Sequence, residues 1–600
     1  MEIEISNESF KRSDPPFEAV NDVPAACFLN ALARESELIQ FEHNPSISLY
    51  KIPLSGERSI SIKLSHFSSL GGHEYLFPAM LNDQATDVSQ PIRFSQLLAL
   101  VLDEPALVGL LSKEQKAIFT QRVTESYHNT YLAAQHHPYG AKLFEQRLDF
   151  TQAEQSLLVG HSFHPAPKSR EQFSFEDAKQ FSPEFGGHFA LVWLAVSEDV
   201  LIGDSSADST LSQRLQALVS QDGALCHELE GRLNDGETLL PAHPWQWQVM
   251  QELPSIQKYL QHGKIRQLGQ LGAQWYPTSS TRSLYSPSLP YMLKFSLSVK
   301  LTNSIRNLSL KEVVRGTRLN DLFQHSSLQE TLGDGAGFQL MQEPAFLGLV
   351  DQNGEVIDES LVALRDNPLA TQPDQEAVVL ATLTQQNPYG GASLLVNRVS
   401  EYARTQNIDV KHAATDWFDA YCRHTVVPLF HLQANFGVVF LAHQQNIVMQ
   451  LENGFPIGMY YRDCQGTGYT DLAFELFGEQ LKEAKRDVEN YWDQDKVRRY
   501  FAYYLIINST YNVISNLAAQ CGVDELGLVA ILHQHLRRLL DAGVRDDQCL
   551  RYVLESQSLC CKGNFFCYLQ NFNENSIPDP AVIYFDLPNP LARVKETSHA

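Results

Sequence analysis

Apolar and polar positions alternate strictly across residues 291–302. Leu293, Phe295, Leu297, Val299 and Leu301 share one side; Lys294, Ser296, Ser298, Lys300 and Thr302 share the other. A period of two predicts a half-buried strand whose second face is wholly polar. A second strand-like stretch covers residues 46–64. Helical periodicity marks residues 25–38, 94–102 and 112–132, an amphipathic run over 308–323, and then 393–404, 417–433, 482–492, 497–518 and 525–540. Between them, the apolar run 436–442 ends in His443-Gln-Gln-Asn446. Two further apolar runs then flank Asn453-Gly454, a strong short-range signal for a tight hairpin.

These shifts of pattern divide the chain into three parts. Residues 1–150 read as mainly helical, 151–345 as strand-rich, and 346–600 as strand pieces followed by long helices. At 600 residues, two or three domains of an α+β protein are expected. A hydrophobic fraction of 44% and a charged fraction of 19% suit a soluble globular chain. No apolar run is long enough to span a membrane. The opening MEIEISNESFKRSDPP lacks the layout of a signal peptide. The nine cysteines are scattered and form no CxxC pair, which favours reduced thiols in a cytoplasm.

Charge changes the picture. The formal net charge of -24 argues against a nucleic-acid partner. Yet residues 261–320 hold Lys264, Arg266, Arg282, Lys294, Lys300, Arg306, Lys311, Arg315 and Arg318 against the single acid Glu312. A sign reversal of this kind suits a bound anion. Pro277-Thr-Ser-Ser-Thr-Arg-Ser283 places four hydroxyl residues before an arginine. Hydroxyls donate singly and a guanidinium grips two oxygens, so this loop suits phosphate. Neither GxxxxGK[ST] nor GxGxxG is present.

Two other clusters carry chemistry. Residues 160–170, GHSFHPAPKSR, crowd His161, His164, Lys168 and Arg170 onto a loop that Pro165 and Pro167 keep from being helical. Two imidazoles and two cations make a carboxylate receptor rather than a zinc site. His243-Pro-Trp-Gln246, with Trp245 and Trp247, reads instead as a packed structural loop. The predicted hairpin brings Asn446 roughly opposite Asp463, with His443 nearby. An Asn and an Asp so placed suit Mg2+, as in the metal site of protein kinases.

Five motifs in order, GHSFHPAPKSR, HPWQ, PTSSTRS, KFSLSVKLTNSIR and HQQN with RDCQG, resemble the NRPS-independent siderophore synthetases, the aerobactin-synthetase-like family. The resemblance spans about residues 20–570. It implies a cradle of thumb (1–150), fingers (151–345) and kinase-like palm (346–600). It implies ATP-dependent adenylation of a polycarboxylic acid, usually citrate, then attack by an amine or alcohol to give an amide or ester for iron acquisition. ATP and Mg2+ are the expected cofactors, and a cytoplasmic homodimer without membrane contact the expected form. By that resemblance Ser279, Ser280, Arg282, Ser283, Lys294 and Arg306 would bind ATP. His161, His164, Lys168, Arg170, Arg306 and His443 would bind carboxylate, and Asn446 and Asp463 the metal. Lys294, Arg306 and His443 would be catalytic.

Three positions depart from the family pattern. Ser283 stands where threonine is usual, Leu441 where a glutamate is usual, and Gln172 where glycine is common. An apolar Leu441 cannot ligate Mg2+. The chemistry fits the residues independently. Citrate carries about three negative charges and ATP about four, and bringing them together requires cations. A kinase-like phosphotransferase is the first alternative, but Gln444 and Gln445 stand where its catalytic aspartate would be. A non-catalytic carboxylate- or siderophore-binding protein is the second, and Leu441 favours it.

Overall fold

The computed structural model describes residues 21–44, 47–170, 172–301, 304–331, 337–484, 490–572 and 580–594. Thr302 of the expected strand and residues 485–489 of the expected helix 482–492 lie outside the described residues.

The first part is mixed rather than mainly helical. Strands β1 (Gln40–Asn44), β2 (Ile47–Leu54), β3 (Arg58–His66), β4 (Glu74–Asp83) and β5 (Val88–Ile92) form an antiparallel meander in chain order. Its core of Tyr50, Ile52, Ile60 and Ile62 packs with Phe28 and Leu32 of the helix Val23–Glu35. Phe565 and Tyr568, from near the other end of the chain, join this core. The Glu35 carboxylate accepts the backbone N–H groups of Asn564, Phe565 and Phe566. It thereby satisfies donors that open the helix Phe565–Leu569.

The second sheet contains β6 (Phe189–Ser197), β7 (Leu201–Ser205), β8 (Glu237–Ala242), β9 (Ile265–Pro277), β10 (Ser283–Tyr285) and β11 (Tyr291–Phe295). Next come the hairpin β12 (Leu297–Leu301) and β13 (Ser304–Arg306), the short β14 (Phe338–Leu340), then β15 (Ala345–Val350) and β16 (Val356–Asp366). The eight-stranded order is β7-β15-β16-β11-β10-β9-β6-β8, so this sheet continues past the expected boundary at 345. The expected single strand 291–302 is two strands. Ser296 is the corner: its Oγ donates to Asp358 O and accepts the Leu308 N–H at 2.9 Å. Alternation survives the bend because both faces are covered; Met292, Leu293, Lys294 and Phe295 are all buried.

Downstream lie β17 (Glu376–Val379), β18 (Val438–Val439), β19 (Ile447–Glu452), β20 (Phe455–Tyr461), β21 (Gly468–Tyr469), β22 (Ser558–Lys562) and β23 (Tyr584–Pro588). β19 and β20 form the predicted hairpin at Asn453-Gly454, with Ile447 opposite Tyr461. Gly454 takes φ 79, and an added Cβ would strike the Arg398 carbonyl. β14 pairs with β20 in parallel, and β17 with β19 antiparallel. A π-helical segment, Val497–Thr510, continues into the helix Tyr511–Cys521 and fills the largest core with Phe501, Leu505, Ile506 and Ile507.

Candidate active site

A cavity of about 490 Å³ opens between the phosphate-type loop, the 160–170 loop, the end of the β19–β20 hairpin and the π-helical segment. His161, His164, Lys168, Arg170, Ser279, Ser280, Arg282, Ser283, Lys294, Arg306, His443, Asn446 and Asp463 all line it.

The hydroxyl loop is held by its own backbone. Thr278 N–H donates to Ser283 O at 2.9 Å, Thr281 N–H to Thr278 O at 2.8 Å, and Ser283 N–H to Ser280 Oγ at 3.2 Å. Thr281 takes φ 66 to close the turn. Opposite Ser283 in the β10–β11 pairing stands Lys294. Lys294 Nζ donates to Asp463 Oδ1 at 2.6 Å and to Glu343 Oε1 at 3.5 Å, and Arg365 shares Glu343. Burial alone would raise the Asp463 carboxyl. The charge and hydrogen bond of Lys294, with Arg365 and Arg282, outweigh that and hold it well below the carboxylate range. Asp463 itself takes φ 81, a conformation non-glycine residues adopt rarely.

Arg282 Nη1 donates to the Arg306 carbonyl at 2.9 Å, placing two guanidinium groups together. Burial lowers Arg282, and burial with Arg282 beside it pushes Arg306 down to about 10. Of the expected polar row, Lys294 alone among 294, 296, 298 and 300 lines the cavity. Ser298 is occupied by Gln246, which donates to its Oγ at 3.1 Å and accepts its N–H at 2.8 Å. The HPWQ loop is thus structural: His243 caps the helix Pro244–Gln251 through Trp245 N–H, and Trp247 is buried. Lys300 N–H donates to Gln172 Oε1 at 2.7 Å, and Gln172 takes φ 76 where the family commonly has glycine.

At the other end, Arg170 Nη1 donates to Glu184 Oε1 at 2.7 Å and to Ser182 Oγ at 2.6 Å. Lys168 Nζ donates to Leu157 O at 2.6 Å and lies 3.6 Å from Glu184. Burial alone would raise Glu184, but Arg170 and Lys168 hold it low; burial lowers Lys168. His164 Nδ1 accepts the Ala166 N–H at 3.0 Å, which puts the ring proton on Nε2. Among the described residues, neither His164 Nε2 nor Arg170 Nη2 has a hydrogen-bond partner. His161 Nδ1 likewise accepts Phe163 N–H, and Nε2 meets the Asn508 amide at 2.8 Å. Burial pushes His161 well down, His164 to about 3 and His443 to about 4.

Asn446 Nδ2 donates to Leu441 O at 3.0 Å, leaving its amide oxygen as the acceptor end. With the Asp463 carboxylate this makes two oxygen donors of the type Mg2+ accepts. Among the described residues, no group of three or more His, Cys, Asp or Glu could hold a metal ion. Leu441 packs against the largest core and lies over Gly466 instead of lining the cavity.

Sequence reasoning missed several contributors: Glu184, Arg365, Arg462, Tyr503, Tyr504 and Lys562 line the cavity, and Glu154 and Glu343 brace it from behind. Charged residues inside otherwise buried strand patterns, as in LVALRD or LCCKGNFF, were the available signal. Burial pushes Lys562 down to about 8.

An antiparallel sheet and the β19–β20 hairpin thus enclose a cation-rich cavity suited to anionic ligands. The IucA / IucC family matches residues 149–385, and the "Ferric iron reductase FhuF-like transporter" family matches residues 415–577. The N(2)-citryl-N(6)-acetyl-N(6)-hydroxylysine synthase of Vibrio mimicus is 64% identical over 96% of this chain and 97% of its own length. The Escherichia coli enzyme of that name is 41% identical over 96% and 99%. The structure of ATP-bound aerobactin synthetase IucA from a hypervirulent pathotype of Klebsiella pneumoniae superposes with a TM-score of 0.88 at 40% identity, covering 95% of this chain and 99% of that one. The chain belongs to the NRPS-independent siderophore synthetases of the IucA / IucC family. It is an ATP-dependent ligase of siderophore biosynthesis.

Proposed function

We propose that this enzyme adenylates citrate and joins it to the N2 amine of N6-acetyl-N6-hydroxylysine. The proposal follows the names of its relatives from Vibrio mimicus and Escherichia coli. The observation that carries the acid-binding half is the gathering of His161, His164, Lys168 and Arg170 on one wall of the cavity.

In the first step a citrate carboxylate oxygen attacks the α-phosphorus of ATP, and pyrophosphate leaves. Ser279, Ser280, Arg282, Ser283 and Lys294 hold the phosphates, so their charges meet the growing charge on the leaving group. Arg306 and His443 lie between nucleotide and acid. His443, neutral near pH 7 because burial pushes it to about 4, orients the carboxylate by hydrogen bonding. In the second step the amine attacks the acyl carbon, AMP departs, and the amine's proton is released. Asn446 and Asp463 would hold Mg2+, which would supply positive charge against the phosphates.

We read the architecture as the family's cradle: a thumb (1–150), fingers (151–345, their sheet extended to Asp366) and a kinase-like palm, working as a cytoplasmic homodimer. The Asn/Asp placement at the β19–β20 hairpin supports the palm. The test is hydroxylamine trapping with ATP and a panel of polycarboxylates, followed by mass analysis with the hydroxylysine derivative. Citrate should give the fastest hydroxamate, with AMP and pyrophosphate as co-products. ADP formation, or no citrate-dependent turnover, would overturn the proposal.

A further inference from the structure

Behind the hydroxyl loop lies an ion pair that the reaction scheme above does not use. Glu154, at the end of the helix Phe150–Gln155, is 1% exposed, and its partner Arg462 is 2% exposed. Arg462 Nη1 donates to Glu154 Oε1, and Nη2 lies 3.3 Å from Oε2. The remaining bonds of the pair run to the cavity wall. Glu154 Oε2 accepts the Ser279 backbone N–H at 2.9 Å. Arg462 Nη2 donates to Ser279 Oγ at 3.0 Å, and Arg462 Nε to the Gln445 carbonyl at 2.9 Å. Gln445 Nε2 approaches the same Ser279 Oγ at 3.5 Å.

A serine hydroxyl has one donor and two acceptor sites. Here both acceptor sites face N–H donors, and the backbone N–H is already given to Glu154. What remains of Ser279 is its O–H, on a residue that lines the cavity. An O–H that can only donate suits an anion and disfavours a cation or a carbonyl-seeking N–H.

We infer that Glu154 is a positioning residue for nucleotide binding: acting through Arg462, it fixes the Ser279 hydroxyl as a donor toward the phosphate chain. Ion pairs that only fasten one helix to a hairpin bond to those two elements. This pair instead directs three hydrogen bonds to Ser279 and Gln445, one residue from the Asn446 of the candidate metal site. The inference rests on the reading of the 277–283 loop as the phosphate site.

The test measures equilibrium binding of ATP to the full-length enzyme, and the citrate KM for hydroxamate formation, in Glu154→Gln, Ser279→Ala, the double variant and Arg282→Ala. Glu154→Gln and Ser279→Ala should each weaken ATP binding about tenfold, the scale of one charge-assisted hydrogen bond. The double variant should be no weaker than either single one, because both remove the same contact. The citrate KM should stay within about twofold of wild type, which a general loosening of the fold would not allow. Glu154→Asp keeps the charge and decides the matter if Glu154→Gln does not fold; it should weaken ATP binding while the citrate KM stays within about twofold of wild type. Weakened binding in Arg282→Ala with wild-type binding in Glu154→Gln, or Glu154→Asp in its place, would overturn this inference alone. So would losses that multiply in the double variant. Unchanged ATP binding in Arg282→Ala would instead overturn the assignment of the loop to phosphate.

Discussion

Lys294 reaches the Asp463 carboxylate at 2.6 Å, tying a central strand of the eight-stranded sheet to the residue just beyond the β19–β20 hairpin. The contact joins the two halves of the active site before any ligand arrives. It also holds Asp463 ionised at every pH the enzyme would meet.

Asp463→Asn should therefore destabilise the fold by about 1–2 kcal/mol at pH 7, below the scale for a fully buried pair because the Asp463 side chain is 30% exposed. A carboxyl held low in the folded state adds stability above its unfolded value, about 3.9, and loses it as pH falls toward the folded one. The gap between variant and wild type should narrow below pH ~4. Urea unfolding at pH 7 and pH 3 checks this; a gap independent of pH would show that the charge of Asp463 is not what stabilises.

Arg170→Ala should raise the citrate KM more than the ATP KM, and should also lower the melting temperature. It leaves the buried Glu184 with only the Lys168 contact at 3.6 Å. Adding Glu184→Ala should restore much of the stability without restoring the citrate KM. Recovery of both together would assign Arg170 a purely structural role.

Restoring the usual family glutamate, Leu441→Glu, should destabilise the protein without lowering its Mg2+ requirement. The side chain packs on the core and over Gly466, where a new carboxylate would be buried with no cation designed for it. A Mg2+ titration of pyrophosphate release on folded variant and wild type gives the answer. A lower half-maximal Mg2+ concentration would show that position 441 can reach the metal.

The citrate KM should rise above pH ~8, by at most about one decade per pH unit. Burial pushes Lys562 down to about 8, so its charge, and its attraction for an anion, are lost as pH rises through that value. Lys562→Met should raise the KM at pH 7 and flatten this alkaline limb. A limb that persists in the variant would point to another group.

The hairpin was legible because Asn453-Gly454 leaves few other conformations, and four of the five motifs reached the cavity because their residues stand close in sequence; HPWQ packs behind it instead. The break at Ser296 was not legible: period-two alternation looks the same whether a strand continues or turns a corner with both faces covered. The meander at 40–92 was undervalued because one strand-like stretch, 46–64, holds two strands and the rest carries Pro78 and Pro91 within its pattern. Glu154 and Arg462 escaped notice because 308 positions separate them, and nothing local announces such a pair.

Asn564, on the cavity wall, has its backbone N–H held by Glu35, 529 positions earlier in the chain. The site therefore does not belong to any segment that could be made or inherited alone. The wall at Asn564 can take its place only once the chain has been made at least that far. Because closure entropy grows only as the logarithm of loop length, joining such distant ends costs little more than joining near ones. The cavity wall is thus complete only when Glu35 and Asn564 have met.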